Sequence, residues 1–179
     1  MTDAPDLSGQ VAFVTGAGGG IGRAIALALA GAGADLALFE IIPERAEEAA
    51  TRVRELGRRA IALPGDAMDA DAIRLAVAAA AAHFGRIDIL VNNAGGVSGR
   101  PFLDQSERSW RRHIDINLVS MLAATHAAAP LMIAGGRGGA ILNVASIEAE
   151  RAAPLFAVYA ACKAGMVSFT KSMALELSE

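Results

Sequence analysis

The sequence predicts an α/β fold built on a doubly wound parallel sheet, and three features predict it. Short apolar runs rich in β-formers alternate five times with longer helical patterns. That alternation marks βαβ units, which need a parallel sheet with helices on both faces. A glycine-dense loop joins the first run to the first helix, and small polar residues follow the fourth and fifth runs. In an open parallel sheet those positions lie at the C-terminal strand ends, where a ligand crevice forms. Residues 1–179 show no linker or internal repeat and are read as one domain, long enough to bury a substantial core.

Gln10 to Thr15 (QVAFVT) suits a fully buried parallel strand. Gly16-Ala17-Gly18-Gly19-Gly20-Ile21-Gly22 follows, then an alanine/leucine helix from Arg23 to about Ala32. Strand, glycine loop and helix in this order allow a tight turn and a close backbone approach to a pyrophosphate. The anion would rest on the helix N-terminus, where free N–H groups and the helix dipole favour it. The spacing is G-x-x-x-G-x-G rather than G-x-G-x-x-G. A structural strand–helix turn is the alternative, but five glycines in seven residues exceed what a turn requires.

Asp35 to Glu40 (DLALFE) reads as the second strand and ends on an acid. An acid about 20 residues past such a loop is placed to hydrogen-bond a ribose diol. Glu40 would also repel a 2′-phosphate, and Ile41 and Ile42 supply no cation to hold one, which favours NAD over NADP. A solvated strand-end carboxylate is the plain alternative. Pro43 to Leu56 is an amphipathic helix with proline at its first turn, ended by Gly57. Arg59 to Leu63 is the third strand, and Pro64-Gly65 turns the chain to Asp66 and Ala67. A helix runs from Asp69 to Phe84 and is capped by Gly85.

Ile87 to Val91 (IDILV) is the fourth strand and delivers Asn92-Asn93-Ala94-Gly95-Gly96 to the crevice. Val97 to Phe102 is a loop beside it. One long helix is expected over residues 104–134, started by the capping residues around Asp104 and Ser106 and kinked or shortened at Pro130. It contains Asn117, an amide in an apolar stretch. Ala140 to Val144 is the fifth strand, ending in Ala145-Ser146; after a loop over Ile147 to Pro154, a final helix carries Tyr159 and Lys163. Tyr and Lys four residues apart share a helix face, roughly 6 Å apart along the axis. A free phenol ionises near pH ~10, and a neighbouring ammonium favours its phenolate, the form a general acid–base must reach. Ser146 could hold a substrate oxygen beside that phenol. A packed tyrosine with a solvated lysine is the alternative.

Net charge is −3 with both signs interspersed, so no nucleic-acid footprint appears. Arg52/Arg54/Arg58/Arg59 and Arg108/Arg111/Arg112 read as polar helix faces. The single cysteine, Cys162, excludes an internal disulfide and suits a reducing, cytoplasmic compartment. It reads as a small buried filler, with a reactive thiol as the alternative. The N-terminus lacks the apolar core of a signal peptide, and no run is expected to reach membrane-spanning length. His83, His113 and His126 lack ligand spacing, so no metal site is expected.

Taken together, Thr15-Gly16 through Gly22, Asn92-Asn93-Ala94-Gly95, Asn117, Ser146 and Tyr159 with Lys163 resemble the short-chain dehydrogenase/reductase family of the T-G-x-x-x-G-x-G type. The likeness runs from about Leu7 to the last residue. It implies a Rossmann-like dinucleotide-binding domain with a catalytic tetrad. Tyr159 would be the general acid–base, Lys163 would tune it and hold the nicotinamide ribose, and Ser146 would orient the substrate oxygen. Asn117 would hold a water linking Lys163 to solvent. Gly16, Gly19, Gly20, Ile21 and Gly22 would hold the pyrophosphate region and Glu40 the adenosine ribose. Asp66 and Ala67 would meet the adenine, and Asn93, Ala94 and Gly95 would flank the ribose and ring.

Family members continue with a sixth strand, a substrate-covering loop and helix, and a seventh strand. This sequence stops while its pattern is still helical, so it is expected to be a C-terminally truncated form with five strands. The resemblance implies an NAD-dependent oxidoreductase acting on a small-molecule secondary alcohol or ketone, probed by NADH absorbance. The alternatives are a dinucleotide-binding fragment without turnover, and a 3-oxoacyl thioester reductase. A homo-oligomer, dimer or tetramer, is expected to pair through helices 104–134 and 154–178.

Overall fold

The periodic runs become five strands and six α-helices in the computed structural model, which describes residues 5–178. The strands are β1 (Val11–Thr15), β2 (Asp35–Glu40), β3 (Ala60–Pro64), β4 (Ile89–Asn92) and β5 (Ala140–Asn143). The helices are α1 (Gly20–Gly31), α2 (Pro43–Glu55), α3 (Ala70–Phe84), α4 (Glu107–Ile114), α5 (Ser120–Ala134) and α6 (Ala157–Glu176). All pairings are parallel, in the order β3-β2-β1-β4-β5. The chain moves outward from β1 to β3, then returns to place β4 on the other side of β1. The order therefore reverses between β1 and β4, where open α/β sheets form their ligand crevice.

Side chains alternate across a strand, and each face has its own cover. Val11, Phe13 and Phe39 pack with Ile73 and Val77 of α3 and with Ala124 and Met132 of α5. Ala12, Val14, Leu36 and Leu38 pack with Ala26 and Ala30 of α1 and with Ala49, Ala50 and Val53 of α2. Every residue of β1, β2 and β4 is buried, as strands covered on both faces must be. The alanines bring α1 and α2 close to the sheet because nothing larger holds them off. Residues of β5 alternate between exposed and half-buried.

Local chemistry fixes the helix ends. Asp69 caps α3 by accepting the N–H groups of Asp71 and Ala72, and Gly85 closes it in the left-handed conformation. The fourth strand is shorter than the sequence suggests. Asp88 Oδ2 accepts the Val11 N–H at 2.9 Å, so its side chain takes a bond that a strand carbonyl would otherwise make. The first helix begins at Gly20, before the expected Arg23.

The largest departure is in residues 104–134, where one continuous α-helix was expected. Ser106 caps α4, and Asp115–Val119 then forms a π-helical segment before α5 begins. Pro130 lies inside α5, which continues to Ala134. A second correction concerns membrane-spanning length. Among the described residues the stretch Glu107–Ala134 is long and apolar enough to cross a membrane, but half of its apolar window is buried inside the fold. It reads as a core helix, packed on α3 and β4.

Candidate active site

The glycine loop is built on Thr15, at the end of β1. Thr15 Oγ1 accepts the N–H groups of Asn93 and Ala94, both at 3.0 Å, and donates to Val91 O at 3.3 Å. Asn93 Nδ2 in turn donates to Thr15 O at 3.0 Å and Gly16 O at 3.1 Å. The turns after β1 and β4 are therefore laced together across the switch point. Thr15→Val should leave two backbone donors without their acceptor and cost about 2 kcal/mol in urea denaturation, whereas Thr15→Ser should stay near wild type.

Above this lacing, the strand ends and their loops line one cleft of about 680 Å³. Of the residues predicted from the sequence, Gly16, Gly19, Gly20, Ile21, Gly22, Glu40, Asp66, Ala67, Asn93, Ala94, Gly95, Asn117, Tyr159 and Lys163 line it. Ser146 does not. It follows the lining residue Ala145 and caps a single 3₁₀ turn, its Oγ accepting the Glu148 N–H at 3.3 Å. Asn92 also turns away, donating to Thr125 Oγ1 at 3.2 Å and Asn143 Oδ1 at 2.8 Å.

At one end of the cleft, no side chain caps the start of α1, and a Cβ at Gly19 would meet nothing within 4 Å. The first N–H groups of a helix lack intrahelical partners, so this open, uncapped turn fits an anion such as a pyrophosphate. Glu40, only 8% exposed, stands beside it with both oxygens anchored. Oε2 accepts the Gly18 N–H at 3.0 Å and Oε1 the Ile42 N–H at 3.2 Å. Each oxygen keeps a lone pair for a ribose hydroxyl. Asp66 Oδ1 accepts the Met68 N–H at 2.9 Å, which holds the turn after β3.

At the other end, α6 presents Tyr159 and Lys163. The Lys163 Nζ donates to Val144 O at 2.7 Å and lies 5.8 Å from the centre of the Tyr159 ring. Asn117 is fully buried in the π-helical segment. Its amide accepts the Gly96 N–H at 3.1 Å and donates to Gly96 O at 2.8 Å and His113 O at 3.0 Å. Such segments often mark functional sites because the extra residue re-aims a side chain. Here it turns an amide onto the loop after β4. Val97 to Phe102 is tied to the loop before α6 as well: Arg100 N–H donates to Leu155 O at 3.0 Å.

Burial sets the chemistry of two α6 side chains. Cys162 is buried, its thiol is pushed up by desolvation, and its Sγ lies 3.7 Å from His113 O. It is a filler rather than a nucleophile. Lys163 is 3% exposed, and desolvation pulls its ammonium below its ordinary 10.5, with Cys162 acting weakly in the opposite sense. The unfolded chain therefore holds this proton more tightly than the folded one. Stability contributed by this group rises with pH over an alkaline interval that ends near 10.5, and below that interval the burial cost is fully present. Relative to Lys163→Met, the wild type should gain stability as pH rises through that interval; parallel pH profiles for the two would contradict this.

Among the described residues, no group of three or more His, Cys, Asp or Glu side chains could hold a metal ion.

The short chain dehydrogenase family matches residues 10–179. The chain belongs to this family. Sorbitol dehydrogenase of Cereibacter sphaeroides is 40% identical over 171 residues, covering 96% of this chain and 66% of that protein. 2-dehydro-3-deoxy-D-gluconate 5-dehydrogenase of Escherichia coli is 39% identical over 170 residues, covering 95% of this chain and 66% of that protein. Among solved structures, carveol dehydrogenase from Mycobacterium avium in complex with NAD superposes with a TM-score of 0.93 at 34% identity, over 97% of this chain and 68% of that one. A short-chain type dehydrogenase/reductase from Mycobacterium marinum gives 0.93 at 34% identity, over 98% and 70%. The parallel Rossmann-like sheet is thus that of the short-chain dehydrogenases, and this chain spans about two thirds (66%) of the length of the two relatives.

Two roles in this site were not read from the sequence. Thr15, the first residue of the T-G-x-x-x-G-x-G motif, was given no part there, and it laces the two turns. Arg45, in the first turn of α2, lines the cleft beside Glu40. It sits five residues past the acid, beyond the two positions where a cation was sought.

Proposed function

We propose that this chain is the dinucleotide-binding, proton-transferring part of an NAD-dependent oxidoreductase that acts on a secondary alcohol or the matching ketone. The observation that carries the reading is convergence. One cleft is lined by an uncapped helix start, an anchored acid and a Tyr/Lys pair, three features far apart in sequence. The NAD complex of the 34% identical carveol dehydrogenase supports the choice of dinucleotide.

In this reading Gly16, Gly19, Gly20, Ile21 and Gly22 hold the pyrophosphate region and Glu40 takes the adenosine ribose diol. Asp66 and Ala67 flank the adenine, and Asn93, Ala94 and Gly95 flank the second ribose. The nicotinamide, when bound, supplies the hydride chemistry. Tyr159 exchanges a proton with the substrate oxygen; among the described residues its hydroxyl has no hydrogen-bond partner, which leaves it free for that oxygen. Lys163 supplies positive charge beside the phenol and a donor to a ribose hydroxyl. Asn117 holds the loop at Gly96, and through it the wall of the cleft. Ser146 would orient the substrate oxygen. Substrate choice falls to Val97–Phe102 and Ile147–Phe156, which the Arg100–Leu155 hydrogen bond makes one unit.

The test is the appearance of NADH absorbance on mixing the protein with NAD and a panel of secondary alcohols. A second reading, dinucleotide binding without turnover, is favoured by Ser146, whose hydroxyl caps its own turn outside the cleft lining. NAD binding by calorimetry with no NADH from any alcohol would select it. We further assign the protein to the cytoplasm and to a homo-oligomer pairing through α4, α5 and α6. Exposed Phe102, Ile114 and Leu122 beside those helices support the pairing.

A further inference from the structure

His113 has no part in the proton transfer or the cofactor contacts described above, yet its side chain is buried in the last turn of α4. Its two ring nitrogens meet backbone groups of opposite kind. Nδ1 lies 2.9 Å from Ser109 O, one turn back; a carbonyl can only accept, so Nδ1 carries the proton and donates. Nε2 keeps its lone pair and accepts the Ser98 N–H at 3.3 Å. The two partners thus select one tautomer and fix the ring plane between them. The Ser98 hydroxyl, 3.4 Å from the same nitrogen, faces the ring as well.

Ser98 belongs to the stretch that follows β4, and that stretch is held at alternate residues. Asn117, one turn beyond His113, accepts the Gly96 N–H and donates to Gly96 O. His113 holds Ser98, and Leu155 O accepts the Arg100 N–H at 3.0 Å. Val97, between the first two anchors, lines the cleft. This is its Tyr159/Lys163 end, for a Cβ on nearby Gly95 would lie 3.7 Å from Lys163 Nζ. We propose that His113 is a positioning residue for the substrate: through Ser98 it fixes Val97 on the cleft wall at the proton-transfer end. The proposal rests on the oxidoreductase reading above. Losing the Ser98 bond frees one end of the stretch and leaves Gly96 held. The wall then loosens around Val97, while Gly95 and the residues before it keep their places. Such an interaction serves substrate and transition state equally, so its loss raises KM with little change in kcat.

Two variants separate the two ring bonds. In His113→Asn the amide nitrogen stands where Nδ1 stood and keeps the bond to Ser109 O, but nothing reaches Ser98. In His113→Gln the amide oxygen extends to the position of Nε2 and keeps the Ser98 bond. KM for a secondary alcohol is expected to rise about tenfold in His113→Asn, with kcat and calorimetric NAD affinity within about twofold of wild type. His113→Gln is expected to keep KM within about threefold of wild type. The Ser98 amide should exchange with deuterium faster in His113→Asn and stay protected in His113→Gln. Val97→Ala, at an exposed residue that leaves the core untouched, is expected to raise KM for the same alcohol. It should add little to His113→Asn when the two are combined. Equal KM values in the Asn and Gln variants would put the effect in packing and overturn the assignment, as would additive effects of His113→Asn and Val97→Ala. Losses of kcat and NAD affinity as large as the rise in KM would overturn it too. Wild-type turnover with an unchanged KM in His113→Asn would refute the role of His113 alone. A wild type that binds NAD but forms no NADH from any alcohol would instead refute the oxidoreductase reading, and this role with it.

Discussion

Tyr159→Phe is expected to lower NADH formation from a secondary alcohol by about 10²–10⁴-fold while NAD still binds, the range by which a positioned acid–base accelerates proton transfer. The substitution removes one oxygen and leaves the ring, so its packing on α6 beside Lys163 is kept. Among the described residues no other side chain lining the cleft carries a hydroxyl: Ser146 and Thr15 lie outside its lining, and Thr15 Oγ1 is bonded to two backbone N–H groups and Val91 O. The measurement is kcat from NADH absorbance beside a calorimetric NAD titration. Equal loss of binding and turnover would assign Tyr159 to holding the dinucleotide rather than to moving the proton.

Gly22→Ala should act on the other half of the site and on the fold at once. A Cβ there would sit 2.1 Å from Gly16 O and 2.5 Å from Asn93 Nδ2. Neither atom can yield cheaply. Gly16 O is backbone following a fully buried strand, and Asn93 Nδ2 is bonded to that same carbonyl and to Thr15 O. The start of α1 must therefore lift from the loop, breaking the Asn93 bonds and displacing the N–H groups offered to the pyrophosphate. Strain and lost hydrogen bonds together are expected to cost about 3 kcal/mol in urea denaturation. Dinucleotide affinity should fall by roughly 100-fold or more. Gly31→Ala, in the same helix, is the control: its Cβ would meet nothing within 4 Å, and both quantities should stay near wild type.

The central layers were legible in the sequence because burial on both faces leaves continuous apolar runs, as in VAFVT and DLALFE, and glycines mark the turn between them. Helix ends with side-chain chemistry were legible too, as Asp69 and Gly85 show. The π-helical segment was not, since Asp115–Val119 (DINLV) has the composition of any helix and the extra residue leaves no periodic trace over one turn. Its only signal was the amide of Asn117 in an apolar stretch. Arg45 was missed for a geometric reason: the first turn of α2 carries the chain back over the strand end, so a residue five positions on faces the cleft. The backbone lacing around Thr15 joins residues 78 and 79 apart in sequence, which no local pattern encodes.

The central claim is tested most directly by a crystal structure of the protein with NADH. The account predicts the pyrophosphate against Gly19–Gly22, the adenosine ribose diol on the Glu40 carboxylate, and the nicotinamide ribose within hydrogen-bond reach of Lys163 Nζ. It also predicts the Tyr159 hydroxyl facing the side of the ring where a substrate carbonyl would sit. Dinucleotide density elsewhere on the molecule would contradict it, as would a nicotinamide lying at the Glu40 end of the cleft.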